Sequence, residues 1–183
     1  MAPMTEQLQT RSRRRWIFGA GALAAAGGAA LSWWRLQPGA QAPGAEQALW
    51  SQKFETVSGE VLDMAAFRGK PLLVNFWATW CPPCVEELPL IDAFWREQHA
   101  NGFQVLALAI DQPSAVKRFL ARQPLGFPVG LAGLQGTELA KALGNSAGGL
   151  PFSVFFKEDG TIWLQKLGQL TPNDLLKWHA NRT

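Results

Sequence analysis

Apolar positions along this chain change period several times, and each change marks an element. Leu72-Leu73-Val74-Asn75-Phe76-Trp77 is a nearly continuous apolar run. Its length and flanks predict a strand buried on both faces. From Pro82 to about Ala100 the spacing becomes helical: Val85, Leu88, Ile91, Phe94 and Trp95 recur on one side. Pro89 falls inside this helix and is expected to kink it. Gly102 then breaks the chain, and Phe103–Ile110 reads as a second buried strand. Pro113–Arg122 reads as a helix with Pro113 in its first turn. Thr137–Leu143 reads as a short helix ended by Gly144.

Hairpins frame this centre. Phe54–Val57 and Val61–Leu62 flank a Ser58-Gly59 turn. Phe152–Phe156 and Thr161–Leu167 flank Lys157-Glu158-Asp159-Gly160, where Asp-Gly is a strong turn signal. Thr171 before Pro172 predicts the N-cap of a closing helix. A parallel strand pair followed by an antiparallel hairpin gives an α/β fold: a mixed sheet with helices on both faces.

Composition adds a division of the chain. The protein has 183 residues and a net charge of +3, with 48 % hydrophobic residues, enough for one core and short for two ordinary domains. Residues 1–42 carry Arg11, Arg13, Arg14, Arg15 and Arg35 against Glu6, so the excess of basic charge belongs to this leader. The remainder is slightly acidic and has no basic stripe, which argues against nucleic acid as a partner. Ser12-Arg13-Arg14-Arg15-Trp16-Ile17 runs into an uncharged, Ala/Gly-rich stretch ending at Trp33-Trp34. That is the plan of an export signal, and the arginines resemble a twin-arginine signal. An ordinary secretory signal is the alternative, and a basic tail on a cytosolic protein the bland one. Ala40-Gln41-Ala42 has the small-x-small form of a cleavage site. Trp16–Trp34 is also near the length of a membrane-crossing helix, so cleavage and an inner-membrane tether both stay open. Residues 35–48, with Pro38, Gly39, Pro43 and Gly44, read as a flexible linker. The organisation expected is a leader and linker over 1–42 and one domain over 43–183. Both fates of the leader place that domain in the periplasm, where disulfides persist.

The chemistry sits at Trp80-Cys81-Pro82-Pro83-Cys84, which holds both cysteines of the chain. Cysteines at i and i+3 share one side of a helical turn and can form a small-loop disulfide. Cys81 follows the strand and begins the helix, where unpaired N–H groups and the dipole favour a thiolate. It is the expected attacking thiol. Cys84, one turn in and more buried, is the expected resolving thiol. Pro82 and Pro83 remove N–H donors between them. A zinc half-site is one alternative, but its other half is missing and His99 and His179 are distant in sequence. A structural disulfide is another, yet so short a loop gains little entropy on closure.

Asn75-Phe76-Trp77-Ala78-Thr79-Trp80-Cys81-Pro82-Pro83-Cys84, followed by Glu87-Leu88-Pro89, closely resembles the thioredoxin-like extracytoplasmic oxidoreductases of the TlpA/ResA group. Phe67-Arg68-Gly69-Lys70-Pro71 and Leu150-Pro151 extend the resemblance, which runs from about Phe54 to the C-terminus. It implies a thioredoxin fold with an N-terminal β-hairpin extension and dithiol–disulfide exchange. It implies no cofactor beyond a redox-active disulfide. It also implies protein thiol or disulfide partners such as apocytochrome c, and a membrane reductant of the DsbD/CcdA type.

By the same resemblance Leu150-Pro151 matches a cis-proline position whose loop lies against the cysteines and offers backbone groups to a substrate strand. A trans proline at a strand start is the bland alternative. Trp80, Pro82 and Pro83 complete the expected substrate surface, while Trp77 reads as core. Glu87 shares the helix face of Cys84 and matches an acidic residue near the pair. Partly buried, it would have a raised pKa and could take a proton from Cys84. An exposed first-turn carboxylate is its alternative, and the expected state of Glu86. Asn75 stands where cytosolic thioredoxins carry a buried aspartate, and it cannot titrate. Trp50, Trp95, Trp163 and Trp178 read as packing residues.

The function implied is an extracytoplasmic thiol-disulfide oxidoreductase acting as a reductant. A thiol peroxidase of the same fold would need Thr-x-x-Cys, whereas Thr79 lies two residues before Cys81. A copper-delivery protein of the same fold would need a longer cysteine spacing and a histidine such as His179 facing the pair. A non-catalytic binding module is the remaining alternative.

Overall fold

The computed structural model describes residues 41, 42 and 44–181, and the signal, cleavage and anchor readings over residues 1–40 lie outside them. The described residues belong to the second of two units of the chain, 41–183. No helix among the described residues is long and apolar enough to cross a membrane.

The second unit opens with helix α1 (Ala45–Trp50), then strands β1 (Lys53–Glu55) and β2 (Val61–Asp63) and a 3-10 turn (Met64–Phe67). Strand β3 (Leu72–Trp77), helix α2 (Pro82–Gln98), a 3-10 turn (His99–Asn101), strand β4 (Gln104–Ala109) and helix α3 (Pro113–Arg122) form the centre. Strand β5 (Val129–Leu131), helix α4 (Gln135–Ala142), strands β6 (Phe152–Phe156) and β7 (Ile162–Leu167) and helix α5 (Pro172–Ala180) complete it. The sheet has seven strands in the order β2-β1-β5-β4-β3-β6-β7. β3, β4 and β5 are parallel, while β1 on one side and β6 and β7 on the other run antiparallel to their neighbours.

Alternation along β3 sorts the core into two layers. Leu73 and Trp77 point into a cluster with Cys84, Leu88 and Ile91 of α2, Val116 and Phe119 of α3, and Leu175 and Trp178 of α5. Leu72, Val74 and Phe76 point into the opposite cluster, with Leu49 and Trp50 of α1, Met64, Phe67 and Ala140 of α4. Helices therefore cover both faces of a central strand that is buried throughout.

Several boundaries differ from the sequence reading. Residues 45–48 are not linker: they belong to α1, whose Ala45, Leu49 and Trp50 are buried. The Trp50 indole N–H donates to the Gly160 carbonyl (3.0 Å), and Glu46 accepts from the Ile162 N–H (2.8 Å). The first hairpin strand is Lys53–Glu55, so Val57 lies in its turn. Phe103 and Ile110 fall outside β4, and α4 starts at Gln135 rather than Thr137. Strand β5 was not expected; it is three residues long, and Gly130 lets it approach β1 closely, since a Cβ there would lie 2.9 Å from that of Phe54. Helix α2 is one element from Pro82 to Gln98, with Pro89 inside it as the sequence places it. Trp95 and Trp163 are only partly buried, unlike Trp50 and Trp178.

Candidate active site

The parallel strands β3 and β4 end on the same side of the sheet, and the site is built there. Cys81 is the N-cap of α2, in extended conformation, with Pro82 and Pro83 as the first helical residues. A helix start normally exposes several unpaired N–H groups. Here the two prolines have none and the Val85 N–H binds the Cys81 carbonyl (3.2 Å). Cys84 is then the first residue of the turn with an N–H to offer. The two sulfurs form a disulfide of 2.07 Å. Cys81 is 5 % exposed and Cys84 is fully covered. Trp80 beside it is 66 % exposed, whereas Trp77 is fully buried.

The Leu150–Pro151 bond is cis. Phe152 pairs with Phe76, so Pro151 sits next to the Trp77 end of β3, beside the segment that leads to Cys81. The Pro151 carbonyl accepts from the Gly168 N–H (2.8 Å), and the Asn145 side-chain amide donates to the Gly149 carbonyl (2.8 Å). These contacts fix the loop on both sides of Leu150. Leu150 and Trp80 line one cavity of about 460 Å³, together with Ile110, Asp111, Leu134 and Thr137. Leu134, just before α4, is 87 % exposed.

Glu87 lies on α2, one turn after Cys84, and is only 1 % exposed. Its Oε1 accepts from the Asn75 side-chain amide (2.7 Å) and its Oε2 from the Leu170 N–H (2.6 Å). Burial dominates and raises its pKa from 4.5 to about 7; the two hydrogen bonds and the charge of Lys166 limit the rise. A carboxyl at that value can hold or release a proton near neutral pH. Glu86 is exposed.

Two contributors were not found from sequence. Asp111, at the end of β4, accepts from the Thr79 N–H (2.8 Å), the Thr79 hydroxyl and the Gln112 N–H. Burial opposes its charge, but these donors prevail and hold its pKa below the ordinary value. Leu134 flanks the cavity from the far side. Neither follows a local pattern: each reaches the site through the tertiary fold.

The alternatives meet specific obstacles. Thr79 has its hydroxyl committed to Asp111, not to a cysteine. His179 stacks on Phe103 at 5.0 Å. Phe103 precedes Gln104, which pairs with Leu72 at the far end of β3 from Cys81. Five strand steps, roughly 16 Å, separate the two ends.

A mixed sheet covered on both faces, with a Cys-x-x-Cys disulfide at a helix start beside a cis-proline loop, defines a thiol-disulfide oxidoreductase of the thioredoxin fold. The model of the Redoxin family matches residues 37–177. Thiol-disulfide oxidoreductase ResA of Bacillus thuringiensis subsp. konkukian is 32 % identical over 120 residues, 65 % of this chain and 67 % of that one. ResA of Halalkalibacterium halodurans is 30 % identical over 118 residues, 64 % of this chain and 65 % of its own. Among solved structures, a thiol:disulfide interchange protein of Chlorobium tepidum TLS superposes with a TM-score of 0.66 at 26 % identity, covering 72 % of this chain and 92 % of that one. StoA from Bacillus subtilis gives a TM-score of 0.56 at 26 % identity, over 70 % and 95 %. The chain belongs to the redoxin family, and within it is TlpA/ResA-like.

Proposed function

We propose that this oxidoreductase works outside the cytoplasm as a reductant of protein disulfides, with Cys81 attacking and Cys84 resolving. The observation that carries the reading is a disulfide at one helix start whose first cysteine is slightly exposed and whose second is fully buried, beside a cis-proline loop. In the forward reaction the Cys81 thiolate attacks a substrate disulfide. One substrate sulfur leaves as a thiolate and the other stays bonded to Cys81. Glu87 takes the Cys84 proton, and the Cys84 thiolate attacks the Cys81 sulfur. That closes the Cys81–Cys84 bond and releases the second substrate thiolate to be protonated by water. Two electrons pass to the substrate, and a membrane thiol reductant of the DsbD/CcdA type would restore the dithiol.

Leu150 and Pro151 would border the substrate strand, with Pro82, Pro83 and exposed Trp80 on its other side. The cavity next to Trp80 and Leu150 suits an apolar side chain near the substrate cysteine. Apocytochrome c, whose cysteines must be reduced before haem attachment, is the substrate the resemblance suggests. The arginine-led apolar leader supports a periplasmic site, with or without a tether in the inner membrane.

Mixed-disulfide trapping tests the assignment. Cys84→Ser should accumulate protein partners bound to Cys81 and released by dithiothreitol, and Cys81→Ser should not. Equal trapping by both variants, or by neither, contradicts it.

A further inference from the structure

The core layer that holds the cysteines also holds three polar side chains. Asn75, in the middle of β3, is fully buried and is the cross-strand partner of buried Ser153 on β6. Its Nδ2 uses both N–H groups: one donates to Glu87 Oε1 (2.7 Å), the other to Ser153 Oγ (3.0 Å). Its Oδ1 is buried and has no hydrogen-bond partner. A buried oxygen left unpaired is unfavourable and unusual in a core. The amide therefore keeps an orientation that sacrifices its own oxygen and directs both donors into the carboxyl and the hydroxyl.

We propose that Asn75 is a positioning residue for Glu87: oriented by Ser153, its amide fixes the carboxyl and favours the charged form. This rests on the role proposed above for Glu87. A donor facing a carboxylate stabilises the charge, and the same donor faces a neutral carboxyl less well. Removing it leaves the burial in place and takes away one of two donors, so Glu87 should hold its proton to higher pH. Less of the base form is then present to accept the Cys84 proton. The other groups acting on this carboxyl are few. The turn before α5 supplies the Leu170 N–H, and β7 supplies Lys166, which is itself paired with Asp174 of α5. Helix α2 supplies the cysteine pair, and β3 and β6 supply only the uncharged Asn75 and Ser153. Asparagine here leaves Glu87 as the titrating group of this trio, which a second carboxyl would not.

The test uses the full oxidised chain, in which the disulfide leaves no thiol to titrate. The Glu87 carboxyl carbon is followed by 13C NMR against pH and assigned by its absence in Glu87→Gln. Asn75→Leu should raise the midpoint by about one pH unit or more, and Ser153→Ala by a smaller amount in the same direction. Ser153→Ala changes little volume and keeps the test open if Asn75→Leu does not fold. An unchanged or lowered midpoint in the folded variants overturns the proposal. The pH dependence of Cys84 resolution, measured as thiol release from a model mixed disulfide, separates this from the role of Glu87. Glu87→Gln should remove the limb that Asn75→Leu moves upward. A limb that survives in Glu87→Gln contradicts the Glu87 role, and the NMR midpoint still decides the Asn75 link.

Discussion

The Thr79 N–H donates to Asp111 Oδ2 at 2.8 Å, which ties the segment entering the cysteine pair to the end of the neighbouring strand. Thr79 is two residues before Cys81, and Asp111 is two residues beyond β4. The contact anchors the residue before Trp80, and Trp80 and Asp111 both line the cavity. Asp111→Ala leaves the Thr79 donors without this partner. Hydrogen bonds to a charged group contribute about 1.5–3 kcal/mol, and partial exposure of this carboxylate reduces that to roughly 1 kcal/mol. The expected outcome in urea unfolding is a modest loss of stability. Stopped-flow reduction of a protein disulfide should show a larger fractional loss of rate, because the segment leading into Cys81 loses this anchor. Asp111→Asn, which keeps one acceptor, should fall between.

Glu87 gives stability a specific pH dependence. Its pKa is 4.5 in the reference state and about 7 in the fold. Between those values the folded protein keeps a proton that the unfolded chain has lost. The contribution is therefore full below about 4.5 and is lost as pH rises through about 7, a change on the order of 3 kcal/mol. Urea unfolding of the oxidised protein at pH 5 and pH 8 should show a larger loss at pH 8 in the wild type than in Glu87→Gln. An equal loss in both would remove the buried-carboxyl account.

The start of α5 has the opposite sign. Thr171 and Asp174 form a reciprocal cap, and Asp174 also pairs with Lys166. Burial works against the Asp174 charge, but the bonds from Lys166 and Thr171 outweigh it and lower the pKa to about 2. This contribution is present above about 3.8 and is lost as pH falls through about 2. Thr171→Ala should cost about 1 kcal/mol at neutral pH. Because Leu170 donates to Glu87, it should also disturb the Glu87 titration, whereas a cap far from the site would not.

Trp80 and Leu134 are exposed apolar side chains on either side of one cavity. Neither packs into the core, so Trp80→Ala and Leu134→Ala should leave the melting temperature nearly unchanged. Loss of an aromatic contact at an interface can reach about 2 kcal/mol. Trp80→Ala is therefore expected to lower kcat/KM for a protein substrate by about tenfold or more, and Leu134→Ala by less. Exchange with a small thiol should be nearly unaffected, which separates substrate recognition from chemistry.

Much of this was legible in the chain, and the exceptions share a cause. The apolar run at Leu72–Trp77, the Asp159-Gly160 turn and the Thr171 cap are local signals, and the elements they mark are present. The cysteine pair was legible because two sulfurs three residues apart at a strand-to-helix junction have few other uses. Helix α1 was hidden by Pro43 and Gly44, which look like linker. What forms it is docking of Leu49 and Trp50 into the core and of Trp50 onto Gly160, 110 residues away. β5 is too short to show a period, and its Gly130 weakens any strand signal. The sequence predicts only partial burial of Glu87. Its partners, Asn75 and Leu170, lie 12 and 83 residues away, and only the folded sheet brings them together.

The most direct test of the central claim is the reduction potential of the Cys81–Cys84 pair in the full chain, titrated against a thiol–disulfide buffer. Exposed Trp80, next to Cys81, gives a fluorescence signal for the state of the pair. A reversible two-electron transition at about −220 mV or lower, in the range of glutaredoxins and thioredoxin, is the result predicted for a reductant. A potential near −120 mV, that of the strong oxidant DsbA, or no reversible transition, would contradict it.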